Sequence, residues 1–465
     1  MIQTSSEQIL ESFQNIKRTS IKLRESSIED RRIKLLKLEK WILSNREKIQ
    51  NALFQDLRKP KSEADLTEIF VVLSELRLAR RKLPSWTRKN LSIGLPFLGS
   101  SAYVFYEPKG ACLIISPWNY PFQLCLVPLI SAIAAGNTVI LKPSEFTPAV
   151  SNLLKALCEE IFDQHEVSVV LGGIPEATTL LAQPFDHIFF TGNTAVGKVV
   201  MKAAAKNLAS VTLELGGKSP TIVDETADVK DAAQKIAWGK WQNAGQICVA
   251  PDYLLVHESL QDRLIEQLTL YANRYYGDRE NYASIVNSVH FERLDDLVKE
   301  AQQKGCVVVH EGANDPASLT FRPILLTSVD ESAKLMQEEI FGPILPIVPY
   351  KSLNDAINII NAKPKPLALY LFSSSKKNIS LVRTQTSSGM MTINDTVLQF
   401  GNPNIPIGGV NHSGIGKSHG HAGFLAFSNE KAVLHQRIGW TMAKTVYPPY
   451  SRLKQKMIDL MIKYL

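Results

Sequence analysis

The sequence predicts an α/β protein built on a parallel sheet, preceded by a helical N-terminal segment. Three observations carry this. Short apolar runs, ACLIIS at 111–116, TVILK at 138–142, SVVL at 168–171 and HIFFT at 187–191, are separated by stretches of helical length. Each run is continuous rather than alternating, as expected of a strand covered on both faces. Each run ends in small or polar residues: SPWN, KPSE, GG and TGN. Ligands of such sheets sit at the carboxyl ends of the strands.

The elements follow in order. Residues 1–82 read as helices. Ser26-x-x-Glu29 has the pattern of a capping box, ahead of Ile33, Leu36, Leu38, Trp41 and Ile42 near a helical period. Ser62-x-x-Asp65 marks a second start before Leu66, Ile69, Phe70 and Leu73, and Pro84 closes that helix. Within the strand region a helix starts at Pro121 and ends at Gly136. A second α/β stretch begins near Gly216, with helices at 230–242 and 261–275 and strands at 253–257 and 389–393. Glycine becomes dense again between Gly401 and Gly423. The tail, Ser451 to Leu465, is amphipathic: Leu453, Met457, Leu460, Met461 and Tyr464 share one face. It reads as a helix packing on its own chain or on a twin subunit, in preference to a membrane-surface anchor, because a short helix with few cations binds lipid weakly.

A chain of 465 residues exceeds one ordinary core. Apolar content of 45% with 21% charged residues describes a globular protein, not a disordered one. No window approaches a membrane span, and the N-terminus has no apolar signal core, so a cytoplasmic protein is expected, with peripheral membrane association as the alternative. The net charge of +7 is gathered at the two ends. Near the start the basic residues interleave with acids at helical spacing, the pattern of a solvated helix face, so no nucleic-acid partner is read. Five scattered cysteines, without a C-x-x-C pair, give neither a disulfide framework nor a metal site.

The stretch FFTGNTAVGK, 189–198, contains G-x-x-x-x-G-K. A P-loop needs Ser or Thr after the lysine to ligate magnesium, and Val199 cannot. The stretch does follow a strand and open a helix, and Gly192 and Gly197 allow close backbone approach to an anion at a helix N-terminus. A phosphate grip is expected; a triphosphatase is not. Lys142 and Glu145, at the end of TVILK, can hydrogen-bond ribose hydroxyls. Glu214 in LELGGKSP is an acid in an apolar strand, where burial raises a carboxyl pKa and suits it to act as a base. Cys248 lies in NAGQICVAPDY just after a helix. A helix-terminal setting predicts a lowered thiol pKa. The other four cysteines, in plain helices or strands, read as structural.

Seven motifs in this order, SPWNYPFQL, LKPSE, FFTGNTAVGK, LELGGKSP, NAGQICVAPDY, EEIFGPILPI and IGGVNHSGIGK, resemble the aldehyde dehydrogenases over about residues 5–450, and within them the class 3 branch of fatty and aromatic aldehyde enzymes. The resemblance implies an NAD(P)-dependent oxidation of an aldehyde to a carboxylic acid. Cys248 matches the nucleophile. Asn119, with the Cys248 backbone N–H, matches the oxyanion hole. Glu214 matches the base for the deacylating water; Glu339 matches the residue holding the nicotinamide ribose and is also a candidate base. Phe341 matches an aromatic that positions the nicotinamide. Lys142 and Glu145 match the adenosine-ribose contacts, with Trp118 beside the same strand end, and the turn of Gly192, Asn193 and Gly197 matches the diphosphate contact. NAD is expected, with NADP as the alternative: Glu145 opposes a 2′-phosphate and Lys142 favours one.

The resemblance also implies a Rossmann-type cofactor domain (1–82 and 109–213), an α/β catalytic domain (214–399), a small β bridging element (83–108 and 400–440) and the tail (441–465). A homodimer and a medium- to long-chain aliphatic or aromatic aldehyde are expected. Four positions depart from the family pattern. Asn193 stands for a serine, Ile247 for a threonine, and Ile407 and Asn411 for phenylalanine and glycine near the expected substrate entrance. A CoA-acylating enzyme and a non-catalytic protein on the same fold are the rival readings.

Overall fold

Strand β1 (Ser100–Pro108) leads into a first sheet containing β2 (Ala111–Ile115), β3 (Thr138–Lys142), β4 (Val167–Val169), β5 (His187–Gly192) and β6 (Ser210–Leu215). The computed structural model describes residues 3–87, 100–278 and 280–464. In space these strands run β6-β5-β2-β3-β4, all parallel. Chain order reverses between β2 and β5, and ligands of open α/β sheets bind at that crevice.

The continuous apolar runs are explained by cover on both faces. Cys112 and Ile114 of β2 pack on one side with Leu35, Leu38, Val72, Phe122 and Leu126. Ala111, Leu113 and Ile115 pack on the other with Ile9, Phe13 and Ile16 of the first helix, Ser6–Leu23. Arg31, from the helix Ile28–Ser44, donates to the carbonyls of Ala134 and Ala135 at the end of the helix Gln123–Ala135. That contact satisfies carbonyls the helix leaves unpaired.

The second sheet holds β7 (Pro220–Val223), β8 (Tyr253–His257), β9 (Val307–Glu311), β10 (Ile324–Thr327), β11 (Ile344–Tyr350), β12 (Ala368–Phe372) and β13 (Met390–Ile393), in the order β13-β12-β7-β8-β11-β10-β9. All neighbours are parallel except β9 against β10. A short strand, β14 (Gly414–Ile415), returns to the first sheet and pairs antiparallel with β6, setting Gly414 opposite Glu214. Strand β15 (Ser428–Gln436) pairs antiparallel with β1 along its whole length.

Several local expectations are corrected. The cap of the helix Ile28–Ser44 is Ser27 with Asp30, one residue later than Ser26 with Glu29. Ser26 instead donates to the Leu23 carbonyl and accepts from Arg31. The second start is at Lys61 behind Pro60, without a side-chain cap, and the helix passes through a π-helical turn at Asp65–Ile69. Pro84 does not close the helix, which continues to Trp86. Leu35 is buried while Leu36 is only half-buried and Ile33 is exposed. The tail forms a helix, Arg452–Tyr464, with no buried residue, so it does not pack on its own chain as a core element. Of the expected bridging segment, residues 88–99 lie outside the described residues. Among the described residues no helix is long and apolar enough to cross a membrane.

Candidate active site

The helix Val229–Trp241 gives way to a turn, Gln242–Gly245, that carries three consecutive left-handed residues: Asn243 (φ 50°), Ala244 (φ 52°) and Gly245 (φ 73°). Each non-glycine residue in that conformation costs about 1–2 kcal/mol, so the turn persists only because its surroundings hold it. Glu63 accepts from the Asn243 N–H at 2.9 Å. The Asn243 amide donates to the carbonyls of Asn119 and Gln246. The Gln246 side chain spans from the Asn243 carbonyl to Ser284 and Val286. Gly245 lies against the Gly342 carbonyl so closely that any Cβ would collide with it. The turn delivers Cys248 to the space between the two sheets.

Two cavities meet there. The larger, about 670 Å³, runs over the carboxyl ends of β2, β3 and β5 to Cys248. The smaller, about 310 Å³, also reaches Cys248. Its walls are mostly apolar, including Leu66, Phe70, Tyr120, Trp238, Ile247 and Leu398. Leu124, Cys248 and Phe400 line both.

The larger cavity brings together ten of the eleven residues expected to form the site: Cys248, Asn119, Glu214, Trp118, Lys142, Glu145, Gly192, Asn193, Glu339 and Phe341. Gly197 is the exception. It does not line the cavity; a Cβ there would strike Leu215, so its absence lets the helix Thr194–Ala205 sit close to β6. Ile407 and Asn411 line neither cavity, against the expected place at the entrance: Ile407 is fully buried, and Asn411 is exposed with φ 55°.

Asn119 does not cap the helix that follows it. Its Nδ2 donates to the Gln246 carbonyl at 3.0 Å, and its own carbonyl accepts from Lys59. Lys59 is fully buried, paired with Glu68 at 2.6 Å. The Asn119 amide therefore sits beside the Cys248 turn under a network that permits little movement.

Burial pushes the Glu214 carboxyl up to about 7, against a hydrogen bond from Ser418 Oγ at 2.8 Å and the charge of Lys417. Burial, aided by the charge of Asp252, pushes Glu339 up to about 8, although Gly217 donates a backbone hydrogen bond to it. The expectation for Cys248 is corrected in direction. Burial, then Glu339 and Glu214, raise its thiol pKa well above the ordinary value. A thiol in this setting keeps its proton until a neighbouring base takes it. The four other cysteines are buried.

The remaining cavity residues fit a dinucleotide. Lys142 Nζ bonds Glu145 at 2.8 Å, with the carboxylate a third exposed at the strand end. Asn193 Oδ1 caps the helix Thr194–Ala205 through the Val196 N–H, leaving its Nδ2 for a ligand. Glu339 Oε1 is buried with no partner, a vacancy that suits a hydroxyl donor. Trp118 packs edge-on against Phe341 at 5.3 Å between ring centroids and beside His290 at 5.2 Å, so it belongs with Phe341 rather than only with the Lys142 strand end. Sequence reasoning missed His290, Arg293, Tyr120, Trp238, Phe400 and Ser418. Of these, the first two lie on the helix Ser288–Gln303 with no motif around them.

The model of the aldehyde dehydrogenase family matches residues 2–433. The chain belongs to the aldehyde dehydrogenase family. It is 47% identical over 412 residues to the 4,4'-diaponeurosporen-aldehyde dehydrogenase of Staphylococcus aureus (strain NCTC 8325 / PS 47), covering 88% of this chain and 89% of that one. It is 41% identical over 445 residues to the dimeric NADP-preferring aldehyde dehydrogenase of Rattus norvegicus, covering 94% and 96%. Its fold superposes on the substrate-bound state of Staphylococcus aureus AldH with a TM-score of 0.93 at 44% identity, covering 98% of this chain and 99% of that one. This aldehyde dehydrogenase is therefore an oxidoreductase acting on an aldehyde with NAD or NADP. Its sheets are those of the family fold.

Proposed function

We propose that this aldehyde dehydrogenase oxidises a medium- to long-chain apolar or aromatic aldehyde, with Cys248 as nucleophile. One observation carries the reading: Cys248 is the reactive side chain shared by a polar-ended cavity and an apolar one. The apolar cavity admits the aldehyde tail and presents its carbonyl to the thiol. A Leu- and aromatic-lined pocket of this kind favours hydrocarbon by about 0.8 kcal/mol for each buried methylene.

The chain's groups act in sequence. A raised carboxylate, Glu214 or Glu339, takes the thiol proton. Sulfur bonds the carbonyl carbon, and the carbonyl π pair moves to oxygen. Asn119 Nδ2–H and the Cys248 N–H hold that oxyanion; losing one such donor costs about 3 kcal/mol of transition-state stabilisation. When bound, the nicotinamide supplies the hydride acceptor that takes the adduct to a thioester. Glu214, once any proton taken from the thiol has passed to solvent, takes a proton from water as the water oxygen attacks the acyl carbon. The carbon–sulfur bond breaks, releasing carboxylic acid and leaving Cys248 as its thiolate.

Glu339 would hold the nicotinamide ribose, Phe341 and Trp118 would flank the nicotinamide end, Lys142 and Glu145 would meet the adenosine ribose, and Gly192 with Asn193 would meet the diphosphate. With Lys142 neutralised by Glu145, NAD is preferred to NADP. The deciding experiment measures reduced dinucleotide formed from hexanal, dodecanal and benzaldehyde, with Cys248→Ala beside wild type. Turnover by the alanine variant overturns the nucleophile. Glu145→Gln frees Lys142 and is expected to move the NADP:NAD ratio of kcat/KM upward several-fold; an unchanged ratio overturns the cofactor assignment.

A further inference from the structure

Lys59 is a fully buried lysine that none of the steps above uses. It sits in the link between the helices Arg46–Leu57 and Lys61–Ala64, flanked by Arg58 in a left-handed conformation (φ 51°) and by Pro60. A left-handed residue on one side and a proline on the other leave the link little freedom. Lys59 Nζ meets three partners. Glu68 Oε1 lies at 2.6 Å, the backbone carbonyl of Asn119 at 3.3 Å, and the face of the Tyr120 ring at 4.0 Å from its centroid. An ammonium has three N–H donors, and an aromatic face attracts a cation. Burying such a group takes free energy, and packing alone does not call for it.

The same short segment supplies two acids. Glu68 Oε2 accepts the Gln123 N–H at 2.9 Å, where the helix Gln123–Ala135 begins. Glu63 accepts the Asn243 N–H in the turn that carries Cys248, and it feels the charges of both Lys59 and Glu68. In an α-helix, residues five apart point about 140° away from each other. The π-helical turn at Asp65–Ile69 winds more widely and brings Glu63 and Glu68 towards one side. These residues grip two groups from opposite halves of the molecule. Asn119 follows β2 of the first sheet, and Cys248 precedes β8 of the second. Asn119 Nδ2 donates to the Gln246 carbonyl at 3.0 Å, and Asn243 Nδ2 donates to the Asn119 carbonyl at 2.9 Å, which closes the gap between them.

We propose that Lys59 is a positioning residue for the oxyanion hole: with Glu68 and Glu63 it fixes Asn119 against the Cys248 turn, and so governs how fast sulfur adds to the aldehyde. This rests on Asn119 being an oxyanion donor. The Asn119 backbone carbonyl accepts from Lys59 Nζ and from Asn243 Nδ2, so its peptide is held by two donors. The side-chain amide carries two N–H groups. One is taken by the Gln246 carbonyl, and the other serves the substrate oxygen. Oxyanion donors act only when they stand at hydrogen-bond distance from the place the charge will occupy. A small displacement of Asn119 therefore slows addition without removing a donor. Lys59 itself touches neither aldehyde nor dinucleotide; it lines neither cavity.

Removing Lys59 alone would strand the Glu68 carboxylate in the interior, and a folding defect would mask the effect. The pair Lys59→Met with Glu68→Gln avoids this. Methionine fills the space of the lysine stem, and glutamine still accepts the Gln123 N–H. Two reactions of Cys248 are compared, with Cys248→Ala as the blank. The burst of reduced dinucleotide from benzaldehyde and NAD+ passes through an oxyanion; alkylation by iodoacetamide does not. The pair is expected to keep its Tm within about 3 °C. It is expected to keep the alkylation rate within about twofold and to lose at least about tenfold in burst rate. A wild-type burst rate overturns the proposal. So does an equal loss of alkylation, which would mean that the whole turn has shifted, and so does an unfolded pair, which would mark Lys59 as structural. The pair is then combined with Asn119→Ala. If Lys59 acts through Asn119, it removes nothing further there; losses that multiply overturn the proposal. A wild-type burst from Asn119→Ala alone overturns the oxyanion assignment together with the proposal, whereas an impaired Asn119→Ala beside an unimpaired pair overturns the proposal only.

Discussion

At the scale of single residues, the site is governed by charges kept out of water. Glu214 holds its proton to about 7 in the folded chain, against 4.5 ordinarily. Folding is therefore favoured while the group is protonated, and that share of stability is lost as pH climbs from about 4.5 through about 7. Glu214→Gln keeps an acceptor for Ser418 without the ionisation. It is expected to raise stability at pH 8 by on the order of 3 kcal/mol, read as a higher Tm, while deacylation slows. An equal gain at pH 4.5 would contradict the electrostatic origin. Wild-type deacylation is expected to rise with pH through about 7 as the carboxylate forms. The identity of these residues was legible in the sequence, because motif order carries it. Their energetics were not. Proximity to a helix predicted a low thiol pKa for Cys248; enclosure between two sheets, with two acids facing it, raises it. Enclosure is a tertiary fact, as is the meeting of Ser418 with Glu214 across 204 positions of chain.

At the scale of elements, the turn Gln242–Gly245 carries the most consequence per residue. Gly245→Ala places a methyl at φ 73° against the Gly342 carbonyl. It is expected to destabilise by more than about 1 kcal/mol and to cut the burst rate, since the turn aims Cys248; wild-type burst kinetics would show that the loop relaxes freely. Strands β2, β3, β5 and β8 were readable from their apolar runs. Strands β9 to β12 were not read, and β9 is an edge strand whose residues are exposed or half-buried in alternation. The cap at Ser27 slipped by one because Ser26 and Ser27 are adjacent and Glu29 and Asp30 are both acids. Only the backbone geometry selects between the two frames.

At the scale of the molecule, two features leave the main body. The β1–β15 ribbon has just two strands, and an isolated pair is marginal in water. We propose that it pairs two copies of the chain. Leu434, exposed on β15, gives the test: Leu434→Glu is expected to shift the sedimentation profile from dimer towards monomer, and a monomeric wild type would overturn the pairing. The tail helix buries no residue. Its removal at Tyr450 is expected to change Tm by no more than about 1 °C and to leave oxidation of benzaldehyde unchanged; a larger drop would place the tail in the dimer interface. Amphipathicity was plain in the sequence, but periodicity cannot say which surface an apolar face meets.

The convergence of two cavities on one sulfur also dictates how inhibitors behave. On the proposed assignment of the two cavities, an apolar amide lodged in the smaller one occupies the tail's path and leaves the dinucleotide's path open. In reciprocal plots its lines are expected to intersect on the rate axis when aldehyde is varied. They should not do so when NAD+ is varied. Each ligand thus has its own door, and blocking one leaves traffic through the other.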